Sequence, residues 1–415
     1  MDLKAWLLRR AAITPYVVTA PGGTATRLAV EAACRAADWT PAHSPAAANL
    51  LVVAGRFEEP FAAYAHRIHN SMPRPRLRVD IPGPDTAADA LAAAAERLRS
   101  GDSDHPEPEP AVHHGGDSHA GHTGHDAHED HMGGMHDHGG HGMGMALPGG
   151  LAMADRAEDR DGLRLDVLNV PLGPVLAWWP AGLVVDTRLQ GDIVSGATVS
   201  VLEPAVDTES FWLGPWLRAA RGEQVSTGEA GRWLVARRLD SAADLLAVAG
   251  WADEARAAQR MRDDALSGEL WPQPRNRRPL SGQDGAGAAA ASRADFDVRL
   301  DRWARRVSRS RLLRWSLRGI GRIPDARGVP SGLAGDAHDR LRWLIDGLVG
   351  VDLRGELPLE PGGFVAAQMR RTDWIIEALP ALLTGAELGE ARLIVASLGP
   401  DQQARTRTTV EAADG

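Results

Sequence analysis

The sequence predicts an α/β N-terminal domain with a small parallel sheet, a disordered His-rich linker, and an α+β domain built from a β-hairpin module and a helical bundle. Three observations lead there. Residues 1–100 alternate short apolar runs with Ala-rich helical stretches, the pattern of parallel strands joined by helices. Residues 101–150 hold almost no aliphatic side chain, so they cannot build a core. Residues 151–400 open on period-2 alternation and change to helical spacing near residue 227, as a hairpin followed by a bundle would.

The elements follow in order. Tyr16–Ala20 reads as a buried strand, ended by Pro21-Gly22-Gly23, with a helix from about Ala25 to Ala37. Asn49–Ala54 is a second buried strand, followed after Gly55 by a helix reaching Ser71. Leu77–Ile81 is a third, followed by an Ala-rich helix to Arg99. Leu163, Leu165 and Val167 alternate with polar residues, and Leu183–Leu189 and Ile193–Val201 flank Gln190-Gly191-Asp192, a hairpin signal. Arg232–Ala249, Trp251–Ala265, Phe296–Leu317, Ala337–Val351 and Phe364–Leu383 read as helices, and Pro272–Arg293 as a loop or insertion. The polar residues 401–415 read as a disordered tail.

Composition narrows the function. The 415 residues carry a net charge of −9, so no global basic field draws in nucleic acid. Lys4 is the sole lysine, which excludes Schiff-base chemistry in the folded body. The single cysteine, Cys34, permits neither an intramolecular disulfide nor an all-cysteine cluster site. It reads as a small buried hydrophobe, the alternative being a reactive thiol. No stretch approaches the ~20 apolar residues of a membrane span, and Met1–Arg10 lacks the apolar core of a signal peptide. A cytoplasmic protein is the expectation.

The strongest positive chemical signal lies in the linker. His113, His114, His119, His122, His125, His128, His131, His136, His138 and His141 stand among Met132, Met135, Met143 and Met145, with Asp126, Asp130 and Asp137 nearby. Neutral imidazoles bind Ni²⁺, Cu²⁺, Zn²⁺ and Co²⁺, and thioethers add affinity for Cu(I). Overlapping ligand sets predict several ions bound with graded affinity, weakening as pH falls below the imidazole pKa of about 6.5. The alternative is a solvated, pH-responsive linker.

Other features have a bland and a functional reading. Pro21-Gly22-Gly23-Thr24 before a helix could cradle a phosphate, although the full dinucleotide and P-loop signatures are absent. Trp178 and Trp179 are candidates for a subunit interface, or else core. Arg302, Arg305, Arg306, Arg309, Arg311 and Arg314 form a basic helix, either a solvated face or one that meets an acidic partner. Asp240 and Asp244, one turn apart beside Arg237 and Arg238, are expected to make surface ion pairs.

Two stretches resemble a known family. Residues 45–81, with Asn49–Gly55 and then Met72-Pro73-Arg74-Pro75, resemble the small iron–sulfur subunit of respiratory complex I and of [NiFe] hydrogenases. Residues 160–202 resemble the start of the large, quinone-site subunit of complex I, with Gly173-Pro174 and Leu183–Val194 filling the positions of its first hairpin. Arg299–Trp303 through Gly319-Ile320-Gly321, and Leu393–Pro400, echo later segments of that subunit. The resemblance implies a flavodoxin-like small subunit joined to a large subunit, with the His-rich segment as the joint. It also implies partners: membrane-arm subunits of a complex I-like or hydrogenase-like assembly, holding this chain on the cytoplasmic face.

The cofactor residues of that family are missing. The loop Thr19–Thr24 has no cysteine where the first cluster ligands fall, so no Fe–S cluster is expected. No cysteine follows Cys34, which leaves no nickel–iron ligands. The hairpin start Pro171–Trp179 has no histidine, and both tyrosines, Tyr16 and Tyr64, lie in the first domain, so quinone binding is doubtful. These readings leave a non-catalytic subunit of such an assembly. The alternatives are a quinone-linked subunit whose chemistry comes from partner chains, and a metal-buffering protein.

Overall fold

Strands β1 (Pro15–Thr19), β2 (Leu50–Ala54) and β3 (Leu77–Ile81) pair in parallel in the order β1-β2-β3. The computed structural model describes residues 12–101, 155–158, 164–205, 209–267, 283–348 and 361–405. The His-rich residues and the linker that holds them lie outside the described residues. Helices α1 (Thr24–Ala36), α2 (Phe61–Ser71) and α3 (Ala87–Ser100) complete the N-terminal unit. All five residues of β2 are fully buried, which is why its sequence is a continuous apolar run. Leu50, Val52 and Ala54 face α1 and α3. Leu51 and Val53, with Tyr16 and Val18 of β1, face α2 and also Val175 and Ala177 from the second unit. The C-terminal unit therefore supplies part of the N-terminal unit's own core.

Strands β4 (Asp155–Glu158), β5 (Arg164–Leu172), β6 (Leu183–Gln190) and β7 (Ile193–Val201) form an antiparallel sheet in sequence order. Its β6–β7 hairpin turns at Gly191, whose φ of +63° only glycine adopts without strain. Leu183, Val185, Leu189 and Val194 pack on α10 (Pro361–Leu383) and α11 (Leu388–Leu398) through Ile375, Leu379, Leu383 and Ile394. The rest of the bundle is α4 (Gly214–Ala220), α5 (Thr227–Val248), α6 (Ala252–Leu266), α7 (Gln283–Arg309), α8 (Arg311–Leu317) and α9 (Ala337–Asp346). Helix α5 runs through the middle and is buried on nearly every side. Such a helix needs no single apolar stripe, and a weak amphipathic pattern follows. The Ser226 side chain accepts from the Glu229 amide and starts it five residues before the expected Arg232.

Three elements differ from expectation. The stretch read as a loop is helical from Gln283, because its alanines are the strongest helix formers and outweigh Gly285 and Gly287. The single helix expected over 296–317 is broken at Ser310, which caps α8 by accepting from the Leu313 amide. The tail expected from residue 401 is packed as far as Arg405, with Gln402 and Gln403 buried. No described helix is long and apolar enough to cross a membrane.

Candidate functional site at the junction of the two units

The two units meet along α1, α5 and α6, and charge runs through the contact. Arg27 of α1 donates to both carboxylate oxygens of Asp240 on α5, at 3.1 and 2.7 Å, and to Glu31 at 2.8 Å. Arg262 of α6 is fully buried and donates to Asp240 at 2.6 Å, Glu31 at 2.8 Å and Asp263 at 2.8 Å. Arg35 donates to Asp263 and, at 3.1 Å, to Gln259. Three guanidiniums thus share three carboxylates across two units. Burial acts to raise the Glu31 pKa, but Arg27, Arg262 and Arg35 hold it down at about 2. Asp240 is buried and pairs with Arg27 and Arg262, which corrects the expected surface pairs with Arg237 and Arg238.

Asp244 is the carboxylate left over. It lies one turn beyond Asp240 and makes no hydrogen bond or ion pair among the described residues. Burial, then the charge of Asp240, pushes its pKa up to about 8. It opens on a cavity of about 260 Å³ lined also by Trp39, Trp178, Arg256 and Gln403. A half-buried carboxyl that stays protonated at neutral pH can give a proton or donate a hydrogen bond to a guest. The sequence places Asp240 one turn away on the same helix but gives no sign of the burial, which is the larger cause and comes from packing against other elements.

A second set of contacts closes the junction. The Tyr16 hydroxyl donates to the Val175 carbonyl at 2.9 Å and accepts from the Ala177 amide at 3.0 Å. Burial pushes its pKa up. Thr24 donates to Gln403 Oε1 at 3.0 Å. Cys34 is buried at the cavity wall, and burial with the nearby Glu31 charge lifts its thiol to about 12, so it is an inert hydrophobe at neutral pH.

The candidate residues fall as follows. Trp179 is buried, and its indole N–H donates to the Leu183 carbonyl at 2.8 Å, so it belongs to the core of the β-sheet layer. Trp178 is half-buried at the junction, with its ring 4.6 Å from that of His43. At Gly23 a side chain would lie 2.3 Å from the Ala54 carbonyl. That close approach, with no ligand needed, accounts for glycine in the Pro21-Gly22-Gly23 turn. The proposed metal ligands His113, His114, His119, His122, His125, His128, His131, His136, His138 and His141 lie outside the described residues. Among those described, Asp336, His338 and Asp339 come together. There Asp336 accepts from the amides of Gly319 and Asp339, and Asp339 accepts from the Asp336 amide. This is the capping box of α9, and its carboxylates already hold backbone partners.

The apolar surface left open is elsewhere. Trp315 is 79% exposed and Leu312 73% exposed, both on α8. The opposite side of α8 buries Leu313 and Leu317. Arg302 and Arg309 on α7, Arg311 and Arg314 on α8, and Arg318 and Arg322 after it are exposed and make no ion pair among the described residues, whereas Arg305 pairs with Asp301 and Arg306 with Glu254.

A comparison with protein-family models finds no match. A comparison with curated proteins finds no match either.

Proposed function

We propose that this chain is a non-catalytic structural subunit of a membrane-associated assembly of the complex I or hydrogenase type. One polypeptide would then supply the two units that this family divides between a small and a large subunit. The observation that carries the reading is the surface of α8. An exposed tryptophan on the same short helix as arginines that make no ion pair among the described residues matches the residue types, tryptophan and arginine, that dominate contact hot spots. The charged junction supports the same reading, since the two units are buried against each other like subunits of one complex.

The test is affinity purification of the tagged chain from detergent-solubilised membranes of its own cells. Integral-membrane subunits should co-purify, and the chain separated from them should be colourless. Trp315→Glu should lose those partners while its melting curve stays within about 0.5 kcal/mol of the parent, as for an exposed site. Recovery of the chain alone from membranes, or a stoichiometric iron–sulfide chromophore in it, overturns the proposal.

Asp244 favours a second reading, a quinone-linked oxidoreductase subunit whose electrons come from partner chains. A protonated carboxyl in the junction cavity is a positioned acid. Quinone reduction by the purified assembly that collapses with Asp244→Asn would replace the structural reading with this one.

A further inference from the structure

Four arginines converge in the bundle beside the junction cavity, with which their own cavity shares Arg237, Ser241 and Gly399. Arg237 and Arg238 come from α5, Arg340 from α9 and Arg371 from α10, and all four line one small cavity of about 50 Å³ with Gln368 and Ser241. Carboxylates act on two of them, Asp336 and Asp339 on Arg340 and Asp401 on Arg237, whereas Arg238 and Arg371 have none among the described residues. Arg340 is buried and spends its donors on neutral oxygens: Ser397 Oγ at 3.0 Å and the carbonyls of Gly321, Gly335 and Leu333 at 3.0, 3.0 and 3.3 Å. Arg237 donates to Gln368 at 3.0 Å and has one carboxylate, Asp401, 3.7 Å away. Arg238 donates to the Gly347 carbonyl, while its Nε is buried with no hydrogen-bond partner among the described residues. Arg371 makes a single hydrogen bond among the described residues, to the Ser331 carbonyl at 2.6 Å.

We propose that this cavity is a binding site for a tetrahedral oxyanion, a phosphate or a phosphoryl group, held by Arg371 and Arg238 with Arg237 beside them. Guanidinium forks match such an anion in charge and shape, and they bind it bidentately. The two lead guanidiniums are held in place: both sit over the Trp343 ring, 4.9 Å from its centroid for Arg238 and 5.4 Å for Arg371. Gly332, at the cavity wall, lets that ring pack close, since a side chain there would lie 2.3 Å from it. The electrostatics agree with the geometry. Burial, then the charges of Arg237, Arg340 and Arg238, lowers the Arg371 pKa to about 9, and no acid among the described residues acts to raise it. An anion in the cavity would relieve that repulsion. The cavity is too small for a nucleoside or sugar, so such a group would have to stay outside while its phosphoryl enters.

The site is independent of the proposed assembly, so the purified full-length chain suffices for the test. Calorimetric titration and thermal melts are run with inorganic phosphate, sulfate and glycerol phosphate against chloride at matched ionic strength. Saturable binding of phosphate and sulfate, with a raised melting temperature, is expected. Arg371→Gln should weaken binding at least ten-fold while melting no lower than the parent in chloride, because it removes a repelled charge. Arg74→Gln, an exposed control, should bind as the parent does. Glycerol phosphate bound as tightly as phosphate identifies the phosphoryl group of a larger molecule; binding of the free ions alone identifies inorganic oxyanion. No preference over chloride, as when Asp352, Glu356 or Glu360 of the same chain already neutralises the arginines, overturns the proposal. Unchanged affinity in Arg371→Gln does so too.

Discussion

Replacing Arg262 with alanine is expected to destabilise the protein by about 3–5 kcal/mol, the usual cost of stripping one partner from a buried charge network. Arg262 is fully buried and serves Glu31, Asp240 and Asp263 together. Its loss leaves three carboxylates to two guanidiniums, Arg27 and Arg35, in a place that water reaches poorly. Urea unfolding of parent and variant measures the cost. Adding Asp240→Asn to Arg262→Ala should give a smaller loss than the two single losses summed, because the second change removes one of the stranded charges. A loss under about 1 kcal/mol for Arg262→Ala would mean that solvent enters the junction and that the ion pairs count for little.

Asp244→Asn is expected to stabilise the protein, and more so as pH rises. The Asp244 pKa moves from 3.8 to about 8 on folding. Well below pH 3.8 the carboxyl is protonated in both states and contributes no difference. Between pH 4 and 8 the unfolded chain loses this proton and the folded chain keeps it. Folding then takes up a proton, and stability falls as pH rises, by at most about 1.4 kcal/mol per unit. The carboxyl opens on a cavity, which screens part of the effect, so the whole penalty at pH 8 is on the order of 2–3 kcal/mol. The substituted amide has no proton to lose. Melting curves of parent and variant should therefore nearly coincide at pH 4.5 and separate steadily to pH 8. Glu31 acts in the opposite sense: its pKa is lowered to about 2, so its contribution is complete above pH 5 and is lost toward pH 2. Parallel pH profiles for parent and variant would show that Asp244 is ionised in the folded protein.

Much of the fold was legible because local pattern and final environment agree. Leu50–Ala54 is continuously apolar and ends up buried on both faces. Gln190-Gly191-Asp192 is a turn by composition and a turn in space. The junction was not legible. Arg27 and Asp240 are 213 positions apart, and Arg262 reaches Glu31 across 231. On α5 alone, Asp240 and Asp244 have Arg237 and Arg238 as their only near cations, so helix spacing favours local pairs. Tertiary contacts override them: Arg237 turns to Gln368 and Asp401, and Arg238 to Gly347 and Trp343. The four-arginine cavity was hidden for the same reason, since its members come from three helices. At Trp178 and Trp179 composition singled out contact residues but could not say whether the contact lies within the chain. The structure uses Trp179 in the core and opens Trp315 to solvent instead.

The shared burial at the junction bears on what the covalent connection through residues 102–154 is for. The N-terminal unit takes core atoms from Val175 and Ala177, and its charged helix takes counter-charges from α5 and α6. The halves are each other's solvent shield, so peptide-bond continuity is not what keeps them together. The connection sets their local concentration, turning an encounter between two molecules into a rearrangement within one. The entropy of closing a connection depends only weakly on its length, by about 0.6 kcal/mol per doubling, so length is weakly constrained. That tolerance is the condition under which a segment between two mutually dependent halves is free to acquire a composition, and a chemistry, of its own.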